Sequence, residues 1–200
     1  MSTDQITPDQ ILSERTPEPS TPGPAAASAR QPARSRIRPR LVGRAPAPVP
    51  GTVLHSVSGA TAVMLALVAI GALIHEPVLI PPLAASAALI HSVPGMPLAQ
   101  PRSVIAGHLL CAAVGYGGLA AFGSASWAAA LAAGASLAVM AVARTPHSPA
   151  CATAVVIVLR EPDPRTFVPL LAGAVLLLVV AGCALSRVRA GAVRYPVYWW

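Results

Sequence analysis

Large apolar side chains are sparse over the first fifty positions and dense afterwards. From residue 53 onward the chain alternates long apolar stretches with short polar breaks. Four of the stretches, 53–74, 104–122, 127–143 and 167–185, approach the roughly 20 residues that cross a hydrocarbon core of about 30 Å. The third is the shortest and the richest in alanine. Two shorter stretches, 78–90 and 149–159, fall short of a crossing at about 1.5 Å per helical residue. Both open on proline, with Pro77, Pro81 and Pro82 in one and Pro146 and Pro149 in the other. Proline suits a helix start, where its missing amide has no intrahelical acceptor. Each short stretch therefore reads as an extended lead followed by a half-length helix.

No stretch between residues 53 and 185 carries a charged face opposite an apolar one, as a soluble amphipathic bundle requires. The expectation is an all-α membrane protein: a small bundle of four long and two short, proline-broken transmembrane segments. Composition agrees, with 54% hydrophobic and 10% charged residues, against roughly 25% charged in soluble domains. The charges crowd toward the two ends of the chain. Residues 1–50 are rich in Pro, Ser, Thr, Ala and Arg and poor in large apolar side chains. They bury too little surface to offset ordering entropy, so they read as a disordered cytoplasmic tail. Residues 51–187 make the transmembrane domain. Residues 188–200 make a basic, aromatic cytoplasmic end, where Tyr195, Tyr198, Trp199 and Trp200 beside Arg187, Arg189 and Arg194 suit an interfacial anchor. The start lacks the apolar core of a cleavable signal peptide.

The two short stretches resemble each other. PLAASAALI at 82–90 lies over PACATAVVI at 149–157 without a gap, so that Ser86 meets Thr153. Each leads through a Pro-Arg pair, Pro101-Arg102 and Pro164-Arg165, into a long helix. The chain thus reads as two repeats of long, short and long segments. Three segments per repeat is odd, so the repeats are expected to be inverted, a plan that recurs in transporters. With all six segments crossing, both termini share a side with Arg102 and Arg144, and only Arg160 and Arg165 face the other way. With the short segments re-entrant, all four of those arginines lie opposite the tail. The positive-inside rule favours six crossings and cytoplasmic termini.

The net charge of +7 sits mostly in Arg30, Arg34, Arg36, Arg38, Arg40 and Arg44. Beside a membrane this is an orientation signal and an anchor for anionic lipid. Nucleic acid is not an expected partner, since the run has no aromatic residues for stacking. Arginine stands at every non-histidine basic position, which with the alanine richness suggests a high-GC bacterial source and its plasma membrane. Cys111, Cys151 and Cys183 fit no metal or redox spacing and read as small residues within helices. Gly107, Cys111 and Gly115, and likewise Ala130, Gly134 and Ala138, recur at four-residue spacing. Such stripes let backbones approach, within one bundle or across a homo-oligomer interface.

Candidate chemistry concentrates at the broken helices. A half-helix starting within the membrane directs free amides and partial positive charge toward its N-terminal side. Two such starts meeting near the midplane would hold a small anion. His147 and Ser148 stand at the mouth of the second half-helix, after Pro146 and before Pro149. Ser86 and Thr153 lie about one turn in, with Pro82 at the matching break. These residues are expected to line one cavity between the repeats. Protonation of His147 would then strengthen transport as pH falls through a value near about 6.5. Gln100, Arg102 and His108 form a second cluster in and after the connection that follows. No catalytic constellation, cofactor motif or metal-ligand spacing appears, so neither an enzyme nor a metalloprotein is expected.

These same residues resemble the HPP family of small bacterial and plant membrane proteins. The likeness rests on AASA at 84–87, PLAQPR at 97–102, GHLL at 107–110 and RTPHSPACATA at 144–154. It covers about residues 55–187, and the namesake triplet reads His147-Ser148-Pro149. The resemblance implies a transporter, with nitrite among the substrates of some members. Two expectations follow: a transporter or channel for a small inorganic anion, or a non-transporting scaffold or sensor whose basic tail recruits a partner or lipid. A scaffold has no need of two matched broken helices.

Overall fold

The computed structural model describes residues 47, 49–188 and 193–199. The expected disordered tail therefore lies almost wholly outside the described residues, as do Arg189 and Trp200. Pro46–Trp200 forms one compact unit. Its described residues make six α-helices and no strand: α1 Pro50–Ile74, α2 Pro81–Ser92, α3 Pro101–Phe122, α4 Ser126–Val142, α5 Cys151–Arg160 and α6 Pro164–Val188. Short 3-10 turns at Pro97–Ala99 and Ser148–Ala150 precede α3 and α5.

Proline sets the starts. It stands in the first turn of α1, α2 and α3, opens the first 3-10 turn, is the second residue of the other, and begins α6. Three helices end on left-handed residues that are not glycine. His75 caps α1 at φ 59°, Arg144 follows α4 at φ 55°, and Glu161 caps α5 at φ 50°. The amides of His75 and Glu161 return to Gly71 and Ile157 carbonyls, closing the last turns.

Three helices, not four, have the length and apolarity of full spans: α1, α3 and α6, with 25, 22 and 25 residues. The third expected span, α4, has 17 residues, about 25 Å of helix. It is as apolar as the three spans and falls short of them in length alone. The short segments are 12 and 10 residues long.

The burial pattern is that of a protein solvated by lipid. Leu54, Leu73, Val142 and Leu176 are exposed, whereas Ser86, Gln100, His108, His147 and Thr153 are fully buried. Lipid leaves apolar surface in place and drives polar groups inward. One core cluster joins α1, α2 and α6 through Val63, Leu67, Leu83, Ile90 and Leu178. The other joins α3, α4 and α5 through Cys111, Ala128, Ala132, Ala154 and Val158.

Helix ends sort to two opposite ends of the bundle. The 75–80 and 161–163 connections share a cavity of about 300 Å³, lined by Glu76, Pro77, Pro162 and Asp163 among others. Pro97 before α3, Arg144 and Pro146 after α4, and Tyr198 share another. Ser56 near the start of α1 donates to the His91 carbonyl at the end of α2, at 2.8 Å. Thus the connection before α2 and the connection after α5 lie at one end, and the finish of α2 lies beside the start of α1.

The small-residue stripes divide. A Cβ on Gly115 would lie 2.9 Å from Ala154 Cα, and one on Gly107 would lie 2.9 Å from His147 Cβ. That stripe therefore seats α5 and its lead against α3. The other stripe, Ala130, Gly134 and Ala138, is exposed, and a Cβ on Gly134 would meet nothing. α4 packs instead through Ala128, Ala132, Ser136 and Met140. Tyr195 is no interfacial anchor either. It is buried against Gly182 of α6, and Ser186 hydrogen-bonds its backbone, while Tyr198 and Trp199 stay exposed.

Candidate functional site

Four polar side chains from four parts of the chain meet inside the bundle. His108 projects from the buried face of α3, which also carries Val104, Gly107, Cys111 and Gly115. Its Nε2 lies 2.9 Å from Ser86 Oγ on α2. Its Nδ1 lies 2.8 Å from Thr153 Oγ1 on α5. Ser86 and Thr153 are the residues that the internal alignment pairs, and one imidazole is held between their hydroxyls. His147, in the lead to α5, brings its Nε2 to 2.8 Å from the same Ser86 Oγ. Its Nδ1 sits 2.6 Å from the Leu98 carbonyl. The two rings are tilted by 58° with centroids 5.1 Å apart. Ser86 also reaches the Pro82 carbonyl one turn back, at 2.9 Å.

Each position has a local cause. Gly107 leaves room for His147 to lie against α3. The left-handed Arg144 ends α4 and turns the chain inward, with the Thr145 amide closing onto the Met140 carbonyl. The 3-10 turn then places Thr153 near the start of α5, where its side chain faces His108.

The expected residues divide around this centre. Ser86, Thr153 and His147 come together as their spacing implied, and Pro82 contributes a carbonyl. They form a closed hydrogen-bonded cluster, not an open cavity, because His108 fills the space between them. His108 thus belongs to this cluster and not with Gln100 and Arg102. Ser148 is exposed and Pro149 partly buried in the 3-10 turn, so Ser148 does not join. Gln100 is fully buried but ties the chain: its amide nitrogen donates to Pro94 and Met96 carbonyls, and its oxygen accepts from Val197 and Tyr198 amides. Arg102 donates to the Ala143 carbonyl at 3.2 Å.

The half-helix starts do not meet as expected. Pro81 lies beside Arg160, at the far end of α5, so the two short helices run antiparallel and their dipoles do not add at one point. Nor is the start of α2 rich in free donors. Two prolines remove two amides, and those of Leu83 and Ala84 both turn onto the Ile80 carbonyl. Imidazole and hydroxyl groups carry the polarity of this centre.

A cavity of about 380 Å³ lies at the end of the bundle that holds the C-terminal segment, lined by Arg102, Arg144, Ser103, Met140 and Pro146 among others. Met140 also borders the space beside Gly107 that His147 occupies, so this cavity and the histidine centre share a wall. Thr145, two residues before His147, is buried, and its hydroxyl has no hydrogen-bond partner. The sequence reading passed over both residues. For Thr145 the available signal was a hydroxyl beside two prolines; for Met140 there was none beyond its helix face. Among the described residues no group of three metal-ligating side chains occurs.

Comparison with known proteins gives a consistent picture. The profile of the HPP transmembrane region matches residues 45–196. A transmembrane protein of Dictyostelium discoideum is 39% identical over 132 residues, covering 62% of this chain and 46% of the relative. A second from the same organism is 34% identical over 126 residues, covering 58% and 40%. The chain thus spans less than half the length of these curated relatives. No solved structure matches.

Proposed function

This chain belongs to the HPP transmembrane family, and from that membership and its buried histidine centre we propose that it carries a small inorganic anion, nitrite or one of like size, across the cell membrane. The observation that carries the reading is His108, held on its two ring nitrogens by Ser86 and Thr153. Fully buried imidazoles in a membrane bundle are costly and point to a pathway rather than to packing. The buried Thr145 hydroxyl supplies a further donor. The Arg102 and Arg144 cavity gathers anions at one end and is separated from the centre by Met140.

The helix neighbours support inverted repeats of α1–α3 and α4–α6. α1 packs on α2 and α6, α4 packs on α5 and α3, and α3 meets α6. Exchanging the two triplets leaves that pattern unchanged. Alternating access in such folds is a rocking of one repeat against the other about a central site. Arg102 and Arg144 share an end with the C-terminal segment, and Arg160 lies at the other. Positive-inside bias therefore puts both termini in the cytoplasm.

The test is uptake of nitrite, nitrate, formate and chloride into proteoliposomes of the purified chain. Uptake of at least one above the protein-free rate supports the reading. Rates equal to protein-free vesicles for all four would sink it.

A further inference from the structure

The hydrogen bonds of the centre require one proton more than its neutral side chains carry. Five contacts are formed: Thr153 with His108, His108 with Ser86, Ser86 with His147, Ser86 with the Pro82 carbonyl, and His147 with the Leu98 carbonyl. Each needs a proton. Two hydroxyls and two neutral imidazoles supply one each, which makes four.

The place of the fifth follows by elimination. The Leu98 carbonyl only accepts, so at 2.6 Å His147 Nδ1 must carry a proton. The Pro82 carbonyl also only accepts, so the single Ser86 proton turns to it. Ser86 Oγ then has two lone pairs left, and two ring nitrogens face it at 2.8 and 2.9 Å. Both must donate. His108 Nε2 does so in the neutral ring, because Thr153 supplies the proton at its Nδ1. His147 Nε2 does so only when His147 is an imidazolium. A second proton on His108 does not cure the shortage, since Ser86 would still have one proton for two acceptors.

We propose that this centre is a one-proton switch coupled to the anion, so that the protein moves the anion together with a proton. This rests on the transporter reading above. In the protonated form His147 carries the charge and all five bonds stand. In the neutral form the Ser86 hydroxyl swings from the Pro82 carbonyl to His147 Nε2, and one bond is lost. No covalent bond changes; one proton enters or leaves at His147 Nε2.

The surroundings leave the added charge without a counter-ion. α2 brings Ser86, α3 brings His108, Cys111 and Arg102, and α5 brings Cys151 and Thr153. α4 brings Ser136 and Met140, its following turn brings Arg144, and Tyr198 lies across the arginine cavity. None is a carboxylate. The described carboxylates, Glu76, Glu161 and Asp163, are exposed in the connections at the opposite end. A buried cation without a partner is strongly unfavourable. An anion arriving from the arginine cavity supplies that partner, so proton and anion bind best together.

Nitrogen-15 histidine NMR on the full chain in lipid tests the proton count, with resonances assigned by His108→Gln and His147→Gln. At alkaline pH the expected state is an Nδ1-protonated His147 beside an Nε2-protonated His108. Acidification in the presence of nitrite should add a proton at His147 Nε2 and leave the His108 tautomer unchanged. The opposite neutral tautomer at either ring, or a His147 that stays singly protonated until the protein unfolds, overturns the proposal. Proteoliposomes with clamped voltage and an internal pH dye test the coupling. Nitrite uptake should acidify the lumen, and an inward proton gradient should accelerate it at least several-fold. Uptake indifferent to the gradient overturns the coupling and leaves the transporter reading intact. Absence of uptake for any anion overturns both.

Discussion

Replacing Ser86 with alanine removes the oxygen on which the whole centre converges. Three hydrogen bonds go at once: to the Pro82 carbonyl and to both imidazoles. Two fully buried ring nitrogens, on His108 and His147, lose a partner, and the site is closed to solvent. Each unsatisfied buried group costs about 1–3 kcal/mol in soluble proteins. Inside membranes individual hydrogen bonds are worth less, about 0.6 kcal/mol on average and 1.7 at most, because the unfolded chain also finds partners. Two orphaned nitrogens between these limits give a loss of about 2–4 kcal/mol. For a chain of this size that lowers the melting temperature by roughly 5–12 °C. Thermal unfolding in one detergent, comparing the wild type, Ser86→Ala and the exposed control Ser148→Ala, reads the difference. Ser148→Ala should stay within about 0.5 kcal/mol of the wild type, as surface changes do. A Ser86→Ala protein melting within a degree or so of the control would refute the hydrogen-bonded centre.

Four further outcomes follow from the packing and the topology. Gly115→Val should destabilise by about 1–3 kcal/mol, because its Cβ would lie 2.9 Å from Ala154 Cα and force α3 and α5 apart. Gly134→Ala should be neutral or stabilising by up to about 1 kcal/mol, since its Cβ meets nothing and alanine favours helix; urea or thermal melts distinguish the two. A Ser124→Cys protein should react with an impermeant maleimide from outside intact cells, whereas labelling only after permeabilisation would contradict cytoplasmic termini. Deleting residues 2–45 should leave membrane insertion and the melting temperature unchanged, because that stretch has little apolar surface to pack; loss of either, followed by fractionation and melting, would show that it contributes to the bundle.

The order of segments was legible because lipid imposes a simple requirement, long apolar runs with polar breaks. Proline located the helix starts well, since Pro81, Pro101 and Pro164 each open a helix. The length of the alanine-rich α4 was legible too, since the stretch read at 127–143 and the helix Ser126–Val142 both have 17 residues, a little under a full span. The pairing of Ser86 with Thr153 was visible because a gapless match of nine residues fixed their register. His108 was misplaced, being grouped with its chain neighbours Gln100 and Arg102. The face it shares with Gly107, Cys111 and Gly115 carries it inward. Gln100 sits at a proline-bounded connection and meets Val197 and Tyr198, nearly a hundred residues away, which no local pattern encodes. Tyr195 misled for a similar reason. Beside arginines and tryptophans it resembles an anchor, yet the flat surface of Gly182 admits its ring.

The central claim is that an anion crosses through the Ser86–His108–Thr153 centre. The most direct measurement compares nitrite uptake by wild-type and His108→Ala protein in proteoliposomes, at equal incorporation and with matched helical circular dichroism. His108 bridges Ser86 of α2 and Thr153 of α5 through both ring nitrogens, so its loss should slow uptake by an order of magnitude or more, about 1.4 kcal/mol in the barrier. Wild-type uptake well above protein-free vesicles, with the variant reduced to near that background, is the result the account predicts. Equal rates for the two proteins would contradict it.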